Sequence, residues 1–226
     1  MSQLPPPITE GQFVDLDTTN EEDIKRRFSP HVKSLHSHLN QLPCLQDLQK
    51  VRRRWKARSS SADAFGTFAT DPRHWYSFHH GGRNEAQFNV GMFTTHFRVG
   101  LGFEFSEKKG GDPTIVHLAY ACFVNIIRTN QQVFNRFVID NNLEVEWVEA
   151  DDLPLHFVAS ADVVSWLLDR QRLQRMPMWI FVGRLLRRGQ ESTILENADA
   201  LGSVIQSVFC HLKPTWEQAQ MLASTA

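Results

Sequence analysis

Features that mark several protein classes are absent from this sequence. It has only three cysteines, at positions 44, 122 and 210, and no C-x-x-C pair, so we expect neither a disulfide framework nor a thiolate zinc site. The opening residues, MSQLPPPITEGQ, lack the basic and apolar regions of a signal peptide. No apolar run approaches the roughly 20 residues that span a bilayer. Together these absences predict a protein of the reducing cytoplasm that has no membrane partner.

The chain also lacks an excess of charge of either sign. Its 24 Lys and Arg residues against 25 Asp and Glu residues give a formal net charge of -1. Any attraction to nucleic acid must therefore come from a local basic patch. The hydrophobic content of 42% and charged content of 22% are those of a globular domain, which excludes a collagen, a coiled coil or a wholly disordered chain.

Several motifs that mark enzyme classes are missing. The sequence has no G-x-x-x-x-G-K-[ST] loop, no G-x-G-x-x-G after a strand, no G-x-S-x-G and no H-E-x-x-H. These absences argue against NTP hydrolysis, dinucleotide binding, lipase-type chemistry and zincin chemistry.

The strongest positive pattern is an alternation of apolar and polar residues in the middle of the chain. Side chains on a strand point to opposite faces in turn, so this pattern predicts an antiparallel three-stranded meander over about 75–105. One face should be buried and the other polar. The apolar set is Ala86, Phe88, Val90, Met92, Phe97, Val99, Leu101, Phe103 and Phe105.

Two further strands are predicted at LEVEWVE (143–149) and MWIFVGRLL (178–186). Helical spacing predicts helices over about 20–40, 45–57, 113–140, from residue 160 onward and over 197–212, with a short one after Pro214. The fold class is therefore α+β, with the sheet packed against four or five helices. We expect a flexible N-terminal arm over 1–18 and a single domain over 19–226.

The polar face of the meander is the first candidate site. It would display Glu85, Gln87, Asn89, His96, Arg98 and Glu104, together with Gly91, Gly100 and Gly102. Glycine weakens a strand unless a close approach or a bend needs the space. The glycines therefore predict either a floor for a ligand or nucleotide, or a strongly curved sheet whose polar face meets water.

The second candidate is the most basic stretch, KVRRRWKAR (50–58). Arg52, Arg53, Arg54 and Lys56 lie around Trp55, a combination suited to phosphate contact and base stacking. The alternative is a solvated helix face with Trp55 in the core.

A third candidate is a magnesium-dependent nuclease of the PD-(D/E)xK type. Glu85, Glu104 and Glu107 would hold Mg²⁺, and Lys109 would orient the nucleophile. The alternative is that EKKGGD is an ordinary charged turn.

The run HWYSFHHGGRNEAQFNVGMF, followed by FRVGLGFEF, resembles small domains that accompany bacterial restriction and anti-phage systems. In some of those domains a W-Y-x-F strand and a Gly-Arg turn lead into alternating strands. The resemblance covers about 30 residues. It implies a module that recognises DNA, with modified DNA as one form of that ligand, in an antiviral defence setting.

The leading expectation is therefore a cytoplasmic domain that recognises nucleic acid, with DNA as the expected ligand. Arg52, Arg53, Arg54 and Lys56 would contact phosphates. Asn, Gln and Arg pair well with base edges, so the polar readout would come from Arg83, Gln87, Asn89 and Arg98. No cofactor is expected unless the nuclease alternative holds and requires Mg²⁺. A third alternative is an interaction subunit whose aromatic residues dock a protein partner or a second copy of the chain.

Overall fold

The protein is described by a computed structural model. The described residues are 4–16, 34–35, 37–39, 41–45, 56–57, 74–80, 86–93, 95–105, 113–149, 154–169, 171 and 177–225.

The described strands form a seven-stranded sheet in the order β1-β2-β3-β4-β7-β5-β6. In chain order they are β1 (Lys56–Ala57), β2 (His74–His80), β3 (Gln87–Phe93), β4 (His96–Glu104), β5 (Leu143–Val148), β6 (His156–Val158) and β7 (Trp179–Arg187). The predicted meander corresponds to β2, β3 and β4, and the two further predicted strands correspond to β5 and β7. The α+β class is confirmed.

The described helices are α1 (Glu10–Leu16), α2 (Pro113–Thr129), α3 (Gln131–Asp140), α4 (Val163–Leu168), α5 (Ser192–Leu195) and α6 (Ala198–Thr225). Two short 3₁₀ helices span Pro43–Leu45 and Ser160–Asp162. Residues 34–35, 37–39 and 41 are also helical. Within the part of the chain that the structure describes, no helix combines the length and the apolar character needed to cross a membrane.

Strand pairing follows an antiparallel pattern where its register is known. β5 pairs antiparallel with both β6 and β7, and β1 pairs antiparallel with β2. The residues that flank β4 are bonded to the residues that flank β7, by Phe105 N–H to Met178 O at 2.8 Å and Arg188 N–H to Thr95 O at 2.9 Å. Because opposite ends meet, β4 and β7 are antiparallel and Gly100 lies opposite Gly183.

The helix predicted over 113–140 is two helices, because the chain turns at Asn130. The Thr129 hydroxyl and the Asn130 side-chain amide both donate to Ile126 O, at 2.9 and 3.1 Å. Side chains that bond to a nearby carbonyl compete with the helical ladder. Phe134 N–H then donates to Asn130 O at 3.0 Å, which begins α3.

Two other helix predictions are wrong at their C-terminal ends, and residues 46–55 of the second lie outside the described residues. Pro214 was expected to end the last helix, but it lies inside α6. A proline costs one helical hydrogen bond, and burial of Trp216 and Ala219 beyond it offsets that cost. The helix expected over 45–57 is replaced at Lys56–Ala57 by β1, where pairing with β2 overrides local propensity. Most of the helix expected over 20–40 lies outside the described residues.

The chain divides into two compact units, each built from segments that are distant in sequence. Unit 1 contains 1–80, 89–99 and 185–210, and unit 2 contains 81–88, 100–184 and 211–226. The prediction of a single domain over 19–226 stays a prediction.

In unit 1 the N-terminal segment is packed, so the expected loose arm is wrong for residues 4–16. Ile8 and Phe13 are fully buried. Ile8 N–H donates to Leu195 O at 2.7 Å, and Glu10 forms an ion pair with Arg188 at 2.6 Å. The segment has enough apolar side chains to be held against its own unit despite its prolines.

In unit 2 helices pack on the predicted apolar face of the meander. The ring of Phe103 lies 5.1 Å from that of Tyr120 and 5.2 Å from that of Phe123, both on α2. The ring of Trp216 of α6 lies 5.0 Å from that of Phe88, and its Nε1–H donates to the backbone oxygen of Ala86, the residue before β3, at 2.7 Å.

The structure contains one disulfide, between Cys44 and Cys210 of unit 1, which are 166 positions apart. The sequence-based expectation that no such bond forms is therefore wrong. Cys122 is a free thiol. The pairing could not be inferred from spacing, because the fold brings together two residues from opposite ends of the chain.

Candidate functional site

The polar face of β3 and β4 is buried, which contradicts both interpretations made from the sequence for these two strands. Every residue of β3, and every residue of β4 before Glu104, is buried. The exposed fractions of Gln87, Asn89 and Arg98 are 4%, 2% and 2%, and His96 is also buried. These side chains are not displayed to solvent, and base edges could reach them only if the fold opened.

Two of the glycines on that face serve close packing within unit 2. A Cβ added to Gly102 would overlap the indole of Trp179, with Cζ2 at 2.6 Å. A Cβ added to Gly100 would overlap Val182 O and lie 2.6 Å from the Cα of Gly183. The predicted ligand floor is therefore wrong at these positions, because β7 already occupies the space above them.

Arg98 is held inside unit 1 by its own neighbours. Its Nε–H donates to Asn89 Oδ1 at 3.0 Å, and its guanidinium lies 4.6 Å from the ring centre of Phe93. The same ring stacks on His96 with centroids 4.5 Å apart, and His96 Nδ1 lies 2.9 Å from Thr95 Oγ1. A guanidinium bonded to an amide and stacked on a ring is fixed in orientation, so this cluster organises the sheet.

Two buried carboxylates of unit 2 were missed by the sequence analysis. Glu144 lies opposite Gly183 and Glu146 lies opposite Phe181 across the β5–β7 pair. Glu146 has an exposed fraction of 0%. Residues directly opposite each other share a face, so both acids lie on the same face as Gly100. The signal was present, since Glu alternates with apolar residues in LEVEWVE.

The basic stretch is the candidate that remains at the periphery of the sheet. Its residues Lys56–Ala57 form β1, the first strand in the sheet order, and are paired on one side with β2. The register places Lys56 opposite His79 and Ala57 opposite Phe78. Arg52, Arg53 and Arg54 lie outside the described residues, as does Arg83.

The proposed nuclease residues are mostly outside the described part of the chain. Glu85, Glu107 and Lys109 are not described, and Glu104 is half-buried at the end of β4. Among the residues that are described, no group of three His, Cys, Asp or Glu side chains is placed to hold a metal ion. The Mg²⁺-dependent alternative stays a prediction.

Unit 2 also carries an open groove with a volume of 410 Å³. It runs between α3 and the start of α4, and its lining carries no charged side chain. The polar groups that line the groove are exposed amides and one hydroxyl, so they could hold a ligand by hydrogen bonds. The lining residues are Gln131, Gln132, Asn135, Ala161, Val164 and Ser165.

Comparison with known proteins adds no assignment to these observations. No protein-family model matches the chain, and a search of curated proteins found no match.

Proposed function

We propose that this protein binds nucleic acid, with DNA as the ligand, through the basic stretch that contains β1. One observation supports this choice of surface over the meander. The only part of the basic stretch within the described residues, Lys56–Ala57, forms a strand at the edge of the sheet. Gln87, Asn89 and Arg98, the side chains expected to read bases, are buried and have no part in the proposal.

The charge of this stretch suits a polyanion. Residues 50–58 contain six basic residues and no acid, in a chain whose net charge is -1. Arg52, Arg53, Arg54 and Lys56 would each neutralise a phosphate and release counterions on binding. Trp55, between them, would stack on a base. The binding would therefore be driven by phosphate contact and would depend strongly on salt.

The proposed setting is the cytoplasm, where a DNA ligand is accessible. A restriction or antiviral-defence role, and preference for modified DNA, rest on the resemblance of residues 74–105 alone. Within the residues that the structure describes, no feature favours the alternatives of a nuclease or of a protein-interaction subunit without a ligand of its own.

The test measures duplex binding by fluorescence anisotropy at about 50 and 200 mM salt. Four phosphate contacts predict that affinity falls on the order of 100-fold between these conditions. Removing two contacts in R53A/R54A should weaken binding at least about tenfold and lower the salt slope by about two.

The matched control removes the same charge elsewhere. R128A/R136A alters two exposed arginines of α2 and α3, and it should change affinity less than about twofold because neither residue belongs to the proposed binding stretch. Absence of duplex binding at low salt, or equal losses in the two variants, would refute the proposal.

A further inference from the structure

The strand β6 (His156–Val158) forms an edge of the sheet within unit 2. It is the last strand in the sheet order and pairs antiparallel with β5 through three residues. Among the described residues, no strand lies on its outer side. Alternate residues of an antiparallel strand direct their N–H and C=O groups away from the paired neighbour. The outer side of β6 therefore presents backbone groups to which a further strand can bond.

The edge also presents apolar surface to solvent. Phe157 has an exposed fraction of 48%, and it is the only aromatic side chain among the exposed large hydrophobics of the described residues. Its neighbours Leu155 and Val158 are half-buried. Proteins commonly place charged side chains along an open edge to prevent association, whereas the centre of β6 carries a phenylalanine.

The opposite face of β6 is fixed by packing. His156 lies opposite Trp147 in the β5–β6 register, and their rings stack with centroids 4.5 Å apart. The ring of Trp147 in turn lies 5.7 Å from that of Trp166 on α4. Just after the strand, Ser160 Oγ donates to Asn142 Oδ1 at 2.7 Å. The edge is therefore held in an extended conformation before a partner arrives, which lowers the entropy cost of binding.

The surroundings of β6 carry charge of one sign. Between Arg136 and Arg170 the sequence contains eight acidic residues and no Lys or Arg. Glu149 precedes β6 and Asp162 follows it, and both are exposed. Neither carboxylate takes part in an ion pair with another described residue. The charge that a partner meets before and after the strand is therefore negative.

These charges favour a basic partner over a second copy of the chain. Two β6 strands related by a two-fold axis would pair antiparallel and bring two acidic segments together. Like charges across a strand pair are destabilising, whereas complementary charges favour encounter and suppress wrong partners. An extended segment that carries basic residues meets the same edge without this repulsion.

We propose that β6 is a docking edge for an extended basic segment of another protein, which adds to the sheet as a strand beside β6. Main-chain hydrogen bonds supply affinity in such complexes, and side chains supply specificity. An apolar residue at the centre of the segment would lie beside Phe157, and basic residues at its two ends would pair with Glu149 and Asp162. The proposal uses no residue of the basic stretch, so it adds a partner and does not depend on the proposed function.

The test uses the full-length protein and the capped peptide KKTVTKK, whose central valine is flanked by β-forming threonines and basic ends. Binding is followed by backbone NMR shifts of labelled protein. We expect shifts at His156–Val158, while Ile8 and Phe13 of unit 1 serve as the internal reference. The peptide EETVTEE reverses the charge and should bind at least about tenfold more weakly. The peptide KKTPTKK lacks the central N–H and should also bind more weakly.

Two variants assign the contacts. Phe157→Thr keeps a β-forming residue but removes the aromatic surface, and it should weaken KKTVTKK binding about three- to tenfold. E149Q/D162N should weaken it by a similar factor, because two exposed ion pairs are lost. The matched control E196Q/E217Q neutralises two exposed acids that lie outside this segment, and it should change affinity less than about twofold.

Three outcomes would overturn the proposal. The first is the absence of peptide-induced shifts at β6, and the second is equal affinity for KKTVTKK and EETVTEE. The third is a concentration-dependent dimer, seen by light scattering and abolished by Phe157→Thr, because it would assign the edge to a second copy of the chain. Peptide binding that is lost in Phe157→Thr and E149Q/D162N but kept in E196Q/E217Q would support the docking edge.

Discussion

Gly100→Ala should destabilise the protein because β4 and β7 approach each other too closely for a Cβ. The added atom would overlap Val182 O, lie 2.6 Å from the Cα of Gly183 and lie 2.9 Å from Cζ of Phe181. Two of these neighbours are backbone atoms. Val182 and Gly183 are paired with Val145 and Glu144 on β5. Strand β7 therefore cannot move away from β4 without disturbing its pairing with β5.

The magnitude follows from overpacking. Forcing extra atoms into a packed interior costs about 1–3 kcal/mol, and we expect the upper end because the main obstacle is backbone. Alanine also lowers the conformational entropy of the unfolded chain, which raises the free energy of unfolding by about 0.5–1 kcal/mol. The net loss is about 2–2.5 kcal/mol in the free energy of unfolding. For a chain of this length, this corresponds to a melting temperature lower by about 4–10 °C.

The assay is urea and thermal unfolding followed by circular dichroism, with Gly11→Ala as the control. Gly11 lies in α1, and the nearest atom to an added Cβ is Thr9 Oγ1 at 3.6 Å. Alanine fits there and should stabilise the helix by about 0.5–1 kcal/mol. If Gly100→Ala is as stable as Gly11→Ala, the close approach of β4 to β7 at this position is refuted. Gly100 would then again be a candidate for contact with a ligand.

Two further substitutions and one double-mutant cycle test individual contacts by urea unfolding. Trp216→Phe keeps an aromatic ring but removes the Nε1–H donor to Ala86 O and leaves a smaller side chain in the core, so it should cost at least about 1–3 kcal/mol; no loss would contradict the hydrogen bond. Arg98→Lys keeps the charge but loses the Nε–H bond to Asn89 and the planar stacking, with an expected cost of about 1.5–3 kcal/mol. Unchanged stability would return this arginine to the candidates for DNA contact. The partly exposed ion pair of Arg188 with the α1 glutamate should contribute at most about 1 kcal/mol in a double-mutant cycle, and less at high salt. A larger, salt-insensitive coupling would contradict that estimate.

Patterns internal to one element were predicted well from the sequence. The alternation from Ala86 to Phe105 identified β3 and β4, and LEVEWVE identified β5, because the side chains that share a face follow from the backbone geometry alone. Element boundaries were less predictable. The break at Asn130 depends on side-chain hydrogen bonds, and the continuation of α6 past Pro214 depends on buried contacts of Trp216.

The residues of the candidate site were the least predictable. Gln87, Asn89 and Arg98 were correctly placed on one polar face, but a polar face is not the same as an exposed one. Whether it meets water depends on what packs against it, and Trp179, which fills the space above Gly102, lies far along the chain.

The sequence by itself determined that this protein has an α+β fold with a central antiparallel meander, because burying its apolar residues at period two leaves few other arrangements. Only the tertiary structure decided three further points: that both faces of β3 and β4 are buried, that Cys44 joins Cys210, and that part of the basic stretch forms the edge strand β1. Each depends on contacts between residues remote in sequence, which local periodicity does not specify.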